Sequence, residues 1–297
     1  MQKPNRAFSL IELSIVILII GVLIAAVGQG IDLLQDARLT AARMATQSSR
    51  VASLKDLALW LDATSEASFS SAEAADGASI SAWNDINPQR DKNNFVQSTE
   101  AQKPTYKERV INNLPAIKFD GTADNMYSTT FPNITSGAMT VFAVVKSAAT
   151  LYAYQAATPG DAIISKRVAA GGGNVNIELV ENSGGFLINN FYGISQSLIG
   201  NNVYLASYSV SQIASKGFIN GVGILNIAGA FYWISSDPAK TDYLFIGKQG
   251  LTAAPTYLGG SIGELIIFDR ELTKKDRQSV EAYLGKKWGI KMTVASY

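Results

Sequence analysis

The hydrophobic pattern changes character twice along the chain. From Phe8 to Val27 it reads FSLIELSIVILIIGVLIAAV, 20 residues with a single charge, Glu12. As a helix this run spans about 30 Å, the hydrocarbon thickness of a bilayer. Spacings of three and four then continue through Val27, Gly30, Leu34, Ala37, Ala41, Met44, Ser48 and Val51. Asp32, Asp36, Arg43, Gln47 and Arg50 fall off that stripe, no Pro lies between Pro4 and Pro88, and no Gly between Gly30 and Gly77. The pattern predicts one helix from Phe8 to about Ser53, roughly 70 Å long at 1.5 Å per residue. Its front half is apolar all round, and its rear half packs one face on the rest of the chain. Gly21, Gly28 and Gly30 each cost about 1 kcal/mol relative to Ala in a helix. They fit either close helix–helix packing or the general frequency of Gly in membrane helices.

Beyond Leu54 the period shortens. The Ala/Ser-rich stretch 63–79 reads as an exposed loop. After and before it, short β-branched or alternating runs are separated by Gly, Asn, Pro and Ser. They are Leu57–Asp62, Ile80–Asp85, Ala116–Asp120, Met139–Lys146, Ala162–Lys166, Val175–Val180, Phe186–Phe191, Val203–Val210, Gly217–Asn220, Tyr243–Gly247 and Ile262–Asp269. One late helix follows, Thr273 to Trp288, with Thr273 as N-cap and Gly289 just past its end. So many strands with a single late helix predict an all-β sandwich.

Composition removes whole classes of chemistry. The chain has 297 residues, 16% charged, with Lys+Arg 25 against Asp+Glu 24. A net charge of +1 provides no field for nucleic acid, and no nucleic-acid partner is expected. There is no Cys and no His. Disulfides, thiolate or imidazole metal sites, Cys nucleophiles and Ser-His-Asp catalysis are excluded. An enzyme built from this sequence would depend on carboxylates, Lys, Tyr or a cation held by oxygen.

Glu12 is the informative anomaly. A charge at mid-membrane costs roughly 2.5–3.5 kcal/mol on insertion scales, so a plain anchor has no reason to carry one. A secretory signal fits poorly, because its apolar region is 7–15 residues and uncharged. The leader MQKPNRA carries Lys3 and Arg6 and no acid, which predicts a cytoplasmic N-terminus with everything after Val27 outside the cytoplasm. The basic leader, the small Ala7, then Phe8-Ser9-Leu10-Ile11-Glu12 and an unbroken apolar helix resemble the class III signal of type IV pilins and pseudopilins. The resemblance implies cleavage between Ala7 and Phe8 by a prepilin peptidase and methylation of the new amine of Phe8. It also implies that Glu12 neutralises that amine in a neighbouring subunit during assembly, which gives the buried carboxylate a partner. Ala7 departs from the Gly usual in the family. An uncleaved signal anchor with a stray Glu is the alternative.

The remainder resembles the concanavalin A-like jelly roll in its laminin-G-like form. The matching pieces are Leu59-Trp60-Leu61-Asp62-Ala63, Trp83-Asn84-Asp85, Pro104-Thr105-Tyr106, Pro115 to Gly121 with Asp124, and Thr140 to Val145. Gly217-Phe218-Ile219-Asn220-Gly221 and Gly263 to Leu272, running into Tyr283-Leu284 and Lys287-Trp288, complete the order. The expected fold class is therefore mainly β with one long N-terminal α-helix: a pilin-type helix followed by a laminin-G-like sandwich. The expected divisions are a leader at 1–7, the helix at 8–53 with 8–27 transmembrane, and the jelly-roll domain at 54–297.

Glucan hydrolases on this scaffold place two carboxylates on one strand face. Glu178 and Glu181 are three apart and Glu264 and Asp269 five apart, so each pair splits between faces; Asp269 and Glu271 share a face at a strand end. No catalytic residue and no enzymatic activity are expected. Asp120, Asp124 and Asn125 bracket Gly121 and offer hard oxygen ligands for Ca²⁺, or else form a capped turn. Asp85, Asn87 and Asp91 form a similar cluster. Gly171-Gly172-Gly173 lacks the Lys-Ser/Thr of a phosphate loop. Trp60, Trp83 and Trp288 lie in motifs that pack inward. Tyr232 and Trp233 offer a stacking platform for glycan, or else more core.

The expected function is a pilin-like subunit, minor or tip-proximal, displaying its head for surface, protein or glycan binding. The expected partners are the prepilin peptidase, other pilin subunits, the assembly platform and the membrane. It would be a single-pass inner-membrane protein with a periplasmic or extracellular head before assembly, and part of a pilus or pseudopilus after it. A type II secretion pseudopilin and a membrane-anchored glycan-active enzyme are the alternatives.

Overall fold

The computed structural model describes residues 10–132, 134, 136–148, 151, 161–167, 175–183, 185–188, 192–195, 197–211, 213–228, 243–250 and 255–293. Helix α1 runs Leu10–Ser48. Sixteen strands follow among the described residues: β1 Leu57–Asp62, β2 Ala82–Trp83, β3 Phe95–Val96, β4 Thr105–Ile111, β5 Leu114–Lys118, β6 Met126–Ser128, β7 Met139–Lys146 and β8 Asp161–Arg167. The series continues with β9 Val175–Asn182, β10 Gly185–Ile188, β11 Tyr192–Ser195, β12 Val203–Val210, β13 Ala214–Ile219, β14 Val222–Ala228, β15 Leu244–Ile246 and β16 Ser261–Phe268, then helix α2 Lys274–Trp288. The chain divides into two compact units, Met1–Ala41 and Ala42–Tyr297.

In the first unit α1 exposes its apolar side chains in every direction. Leu10, Ile11, Leu13, the run Ile15–Ile20, Val22, Leu23 and Ile24 are between 46% and 85% exposed. A helix apolar all round is built to be covered by lipid or by other helices. Among the described residues no helix is long and apolar enough to cross a membrane. Phe8 and Ser9, which open the 20-residue run, lie outside those residues.

The second unit is a two-sheet sandwich with all pairs antiparallel. One sheet has the order β14-β13-β12-β7-β16-β5-β4, with β1 also on β16; the other runs β11-β10-β9-β8-β15-β6-β3-β2. Leu59, Leu61, Val141, Ala143, Val145, Leu265 and Ile267 of the first sheet face Ile163, Ile177, Leu179, Leu244 and Ile246 of the second. The alternate residues of the first sheet, Trp60, Phe142, Val144, Leu205, Ile266 and Phe268, are buried as well, beneath Val280, Leu284 and Trp288 of α2 and beneath Ala42, Val51 and Leu54. Burial on both faces explains why β7 and β16 read as continuous apolar runs. Each such side chain contributes about 1.5–3 kcal/mol. The central strands of the first sheet are thus covered on both sides.

Helix α2 keeps its predicted ends. The Thr273 side chain accepts from the Asp276 N–H, and Gly289 closes the helix at φ 66°. The Asn220-Gly221 turn holds φ 52° and 78° between β13 and β14, as a two-residue hairpin requires. The first helix differs from expectation. It stops at Ser48, where Ser48 Oγ bonds back to Met44 O at 2.8 Å, and a separate 3₁₀ turn covers Val51–Ser53. Its packing face also differs: Ala42 and Thr46 are buried, whereas Met44 and Ser48 of the predicted stripe are exposed; Val51 of that stripe is buried as expected. Loop 63–79 is not wholly exposed, because Phe69 is buried against Trp83 and Tyr106. The five strands missed in sequence are β3, β4, β6, β11 and β14.

Candidate functional site

Glu12 stands in the first turn of α1 and is exposed. Ala7 and Phe8 lie outside the described residues, as do Tyr232, Trp233 and the 171–173 glycines.

The loop after β5 binds itself. Asp120 Oδ1 accepts the N–H groups of Thr122, Ala123 and Asp124 at 2.8–2.9 Å, and Oδ2 accepts the Thr122 hydroxyl. Asp124 Oδ2 in turn accepts the Asp120 N–H at 3.0 Å, and Asn125 Nδ2 donates to Ala123 O at 2.9 Å. Burial opposes ionisation of Asp120, but these donors outweigh it and hold its carboxyl at about 2. Burial, with the charge of Asp120 beside it, pushes Asp124 up to about 6. Oxygens engaged by loop donors do not fit a calcium shell, and among the described residues no group of three or more acids is placed to hold a metal. The geometry is that of a capped turn.

The carboxylates weighed for hydrolysis are all engaged structurally. Glu178 Oε1 accepts Ser165 Oγ at 3.0 Å and Gln249 Nε2 at 3.2 Å. Glu181 turns to the sandwich interior and accepts Ser147 Oγ at 2.8 Å. Glu264 is fully buried and accepts Trp60 Nε1, Trp288 Nε1, Tyr283 Oη and Lys287 Nζ at 2.7–2.8 Å. Lys287 also reaches Asp62 at 2.6 Å and Thr46 Oγ1 at 2.9 Å, so β1, β16, α2 and the end of α1 meet at one ammonium. Asp269 faces Arg90 at 3.5 Å and Glu271 faces Lys216 at 2.8 Å.

The outer side of the second sheet carries the feature that sequence reading passed over, at its β3, β6 and β15 end; Ser165 and Glu178 toward β8 and β9 are fully buried beneath Gln249 and Gly250. Val96, Tyr127, Phe245, Ser165 and Glu178 are successive cross-strand partners on β3, β6, β15, β8 and β9. Their neighbours Phe95, Met126, Leu244, Ile246 and Ile164 are core, so this row points outward. Tyr243 stacks on Tyr127 with ring centroids 5.2 Å apart and planes at 21°, and both lie 6.1 Å from Phe245. Lys248 Nζ sits 5.1 Å from the Phe245 centroid and 5.9 Å from that of Tyr257. Tyr243 is 44% exposed. The signal in the sequence was Tyr243 and Phe245 flanking an inward Leu244.

Solved structures similar to the chain are β proteins of low identity. A Trypanosoma rangeli sialidase in complex with sialic acid is 13% identical, with a TM-score of 0.48 over 82% of this chain and 34% of that one. Domain 4 of AbnA, an extracellular arabinanase from Geobacillus stearothermophilus in complex with arabinotriose, is 14% identical, with a TM-score of 0.44 over 70% of this chain and 98% of that one. A structure from work on cell entry of botulinum neurotoxin type C is 12% identical, with a TM-score of 0.46 over 77% of this chain and 51% of that one. The chain spans about a third of the length of the sialidase. No curated protein matches the chain. Residues 2–28 match the family described as the prokaryotic N-terminal methylation motif, and the chain carries that motif.

Proposed function

We propose that this protein is a type IV pilin-like subunit, cut between Ala7 and Phe8, methylated on Phe8, and assembled through α1 into a pilus or pseudopilus. The observation that supports this most is the methylation motif at residues 2–28 placed on a helix whose apolar side chains are exposed all round. Before assembly the helix rests in the membrane; afterwards neighbouring helices cover it. Glu12 then meets the Phe8 amine of an adjacent subunit, which compensates a charge in an apolar bundle. The sandwich serves as a binding head and not as a catalyst, and the Tyr127–Tyr243–Phe245 cluster on its second sheet is its candidate glycan contact.

Mass spectrometry of protein extracted from membranes is expected to show a start at Phe8 with one added methyl group. A start at Met1 in cells with active peptidase would overturn the reading. Glu12→Ala is expected to leave membrane insertion intact and abolish incorporation into filaments. Incorporation at the normal level would remove the pairing role.

A further inference from the structure

A short hairpin places a cation beside the rings of the second sheet. Gln249 N–H donates to Thr256 O at 3.0 Å, Leu258 N–H donates to Gly247 O at 2.9 Å, and Lys248 pairs with Tyr257 between them. The hairpin is pinned to β8 and β9, where Gln249 Nε2 donates to Glu178 Oε1 at 3.2 Å and Gly250 N–H to Ser165 Oγ at 3.1 Å. Residues 245 and 248 are three apart, which on a straight strand sends them to opposite faces. Gly247 undoes that alternation. It turns the chain at φ 78°, and a Cβ there would lie 2.3 Å from the Phe119 ring, so no other residue fits. Lys248 Nζ thereby comes back to the Phe245 side, 5.1 Å from that ring's centroid and 5.9 Å from that of Tyr257.

The rings stabilise this ammonium without neutralising it, because a quadrupole carries no net charge. Among the described residues no carboxylate lies within ion-pair distance of Lys248. The sequence has no Asp or Glu in 125–160 or in 243–263, the stretches that supply Tyr127, Tyr243, Phe245 and Tyr257. Glu178, the outward acid of β9, is engaged by Ser165 and Gln249. The hydroxyls of Tyr127 and Tyr257 make no hydrogen bond among the described residues. Tyr127, Phe245, Lys248 and Tyr257 are all partly exposed. The unused capacity here is therefore one fixed cation and two phenol donors beside apolar rings. The net charge of +1 adds no general attraction for anions, so any such attraction is local to this cluster.

We propose that the cluster takes a glycan through a negatively charged sugar, whose carboxylate or sulfate pairs with Lys248 while its apolar C–H face lies on the Tyr127–Tyr243–Phe245 rings. The inference rests on the reading of the head as a glycan binder and names the class of sugar. A neutral sugar would cover the rings and leave the ammonium unmatched. An acidic peptide would match the charge but bring no rigid C–H face to the rings.

The test is an array of neutral oligosaccharides and their counterparts bearing sialic acid, uronic acid or sulfate, with immobilised polyglutamate beside them. It is probed with the full chain in octaethylene glycol monododecyl ether, a detergent with neither charge nor sugar. Acidic members are expected to be retained about tenfold more strongly than neutral ones, the worth of one charge-assisted hydrogen bond, and the margin should shrink as salt is raised. The carboxylated and sulfated members separate the two anions. Lys248→Met should remove the margin and Lys248→Arg should keep it, whereas Tyr243→Ala should weaken acidic and neutral members alike. Equal retention of acidic and neutral members, or a margin that survives Lys248→Met, would overturn the inference and leave the glycan-binding head in place. Polyglutamate held as strongly as the acidic glycans would overturn it in favour of an acidic protein. Retention of no glycan at all would end the glycan reading itself. Cleavage and methylation at Phe8 should be the same in every variant, so failure of the filament reading would be recognised separately.

Discussion

Lys287→Met should destabilise the head by about 3–5 kcal/mol, because it leaves two buried carboxylates without their cation. Both oxygens of Asp62 are engaged: Oδ1 accepts the N–H and hydroxyl of Thr64, and Oδ2 accepts Thr46 Oγ1 and Lys287 Nζ. The side chains of Lys287, Asp62 and Glu264 have no exposed surface. Burial pushes the Glu264 carboxyl up, Lys287 opposes this, and Asp62 adds to it. Removing the ammonium leaves burial and like-charge repulsion opposed only by hydrogen bonds such as those from Trp60, Trp288 and Tyr283 to Glu264. Met keeps the volume, so packing loss is small and the electrostatic penalty dominates. That penalty is a large share of the roughly 5–15 kcal/mol that holds a domain folded. Urea denaturation of the detergent-solubilised chain would measure it through tryptophan fluorescence, since Trp60 and Trp288 both donate to Glu264. A loss below about 1 kcal/mol would show that the three charges are not coupled. Adding Asp62→Asn and Glu264→Gln to Lys287→Met should recover most of the stability, because apolar or neutral replacements of a whole buried network cost little.

That network marks where sequence reading stopped. Asp62, Glu264 and Lys287 each stood in runs already read as structural, yet nothing local joins residues 225 apart. The apolar strands β1, β7, β12 and β16 were legible because double-sided burial demands continuous hydrophobic runs. The missed strands lack that signature. Thr105–Ile111 is TYKERVI, an exposed hairpin arm with charges where alternation should show, and Arg109 sits at φ 57° in an irregular register. Phe95–Val96 and Met126–Ser128 are too short to show any period. The helix terminus was misplaced because a spacing rule does not register a serine bonding back to its own helix. The motif around Phe8 and Glu12 was legible because its chemistry is contiguous. The loop between β2 and β3 was visible only as the weak Asp85, Asn87 and Asp91 cluster, since the fold decides that Asp85 and Asn87 turn inward and Asp91 outward.

The head should lose stability as pH rises from about 4 to 8, an unusual direction caused by two acids that share one buried position. Asp161 and Glu181 are direct partners across β8 and β9, both buried. Like charges directly opposite on adjacent strands repel. Glu181 Oε1 has no hydrogen-bond partner among the described residues, and the sequence has no Lys or Arg in 147–165 or in 168–215. Burial, aided by the charge of Asp161, raises Glu181 from 4.5 to about 7 despite the Ser147 hydroxyl, and burial raises Asp161 from 3.8 to about 6. The folded state therefore keeps protons that the unfolded chain releases. Their contribution is complete below about pH 4 and is lost as pH climbs through 6 and 7. At about 1.4 kcal/mol per unit, Glu181 alone accounts for on the order of 3 kcal/mol by pH 8. Asp120, held at about 2, acts in the opposite sense and costs stability only in stronger acid. Glu181→Gln gives Asp161 a donor amide and removes one of the repelling charges. It should match wild type near pH 5 and exceed it near pH 8, with urea midpoints at each pH as the measurement. An unchanged slope in the variant would mean that the proton resides elsewhere, and a wild type whose stability rises across this range would reject the buried acid pair as its cause.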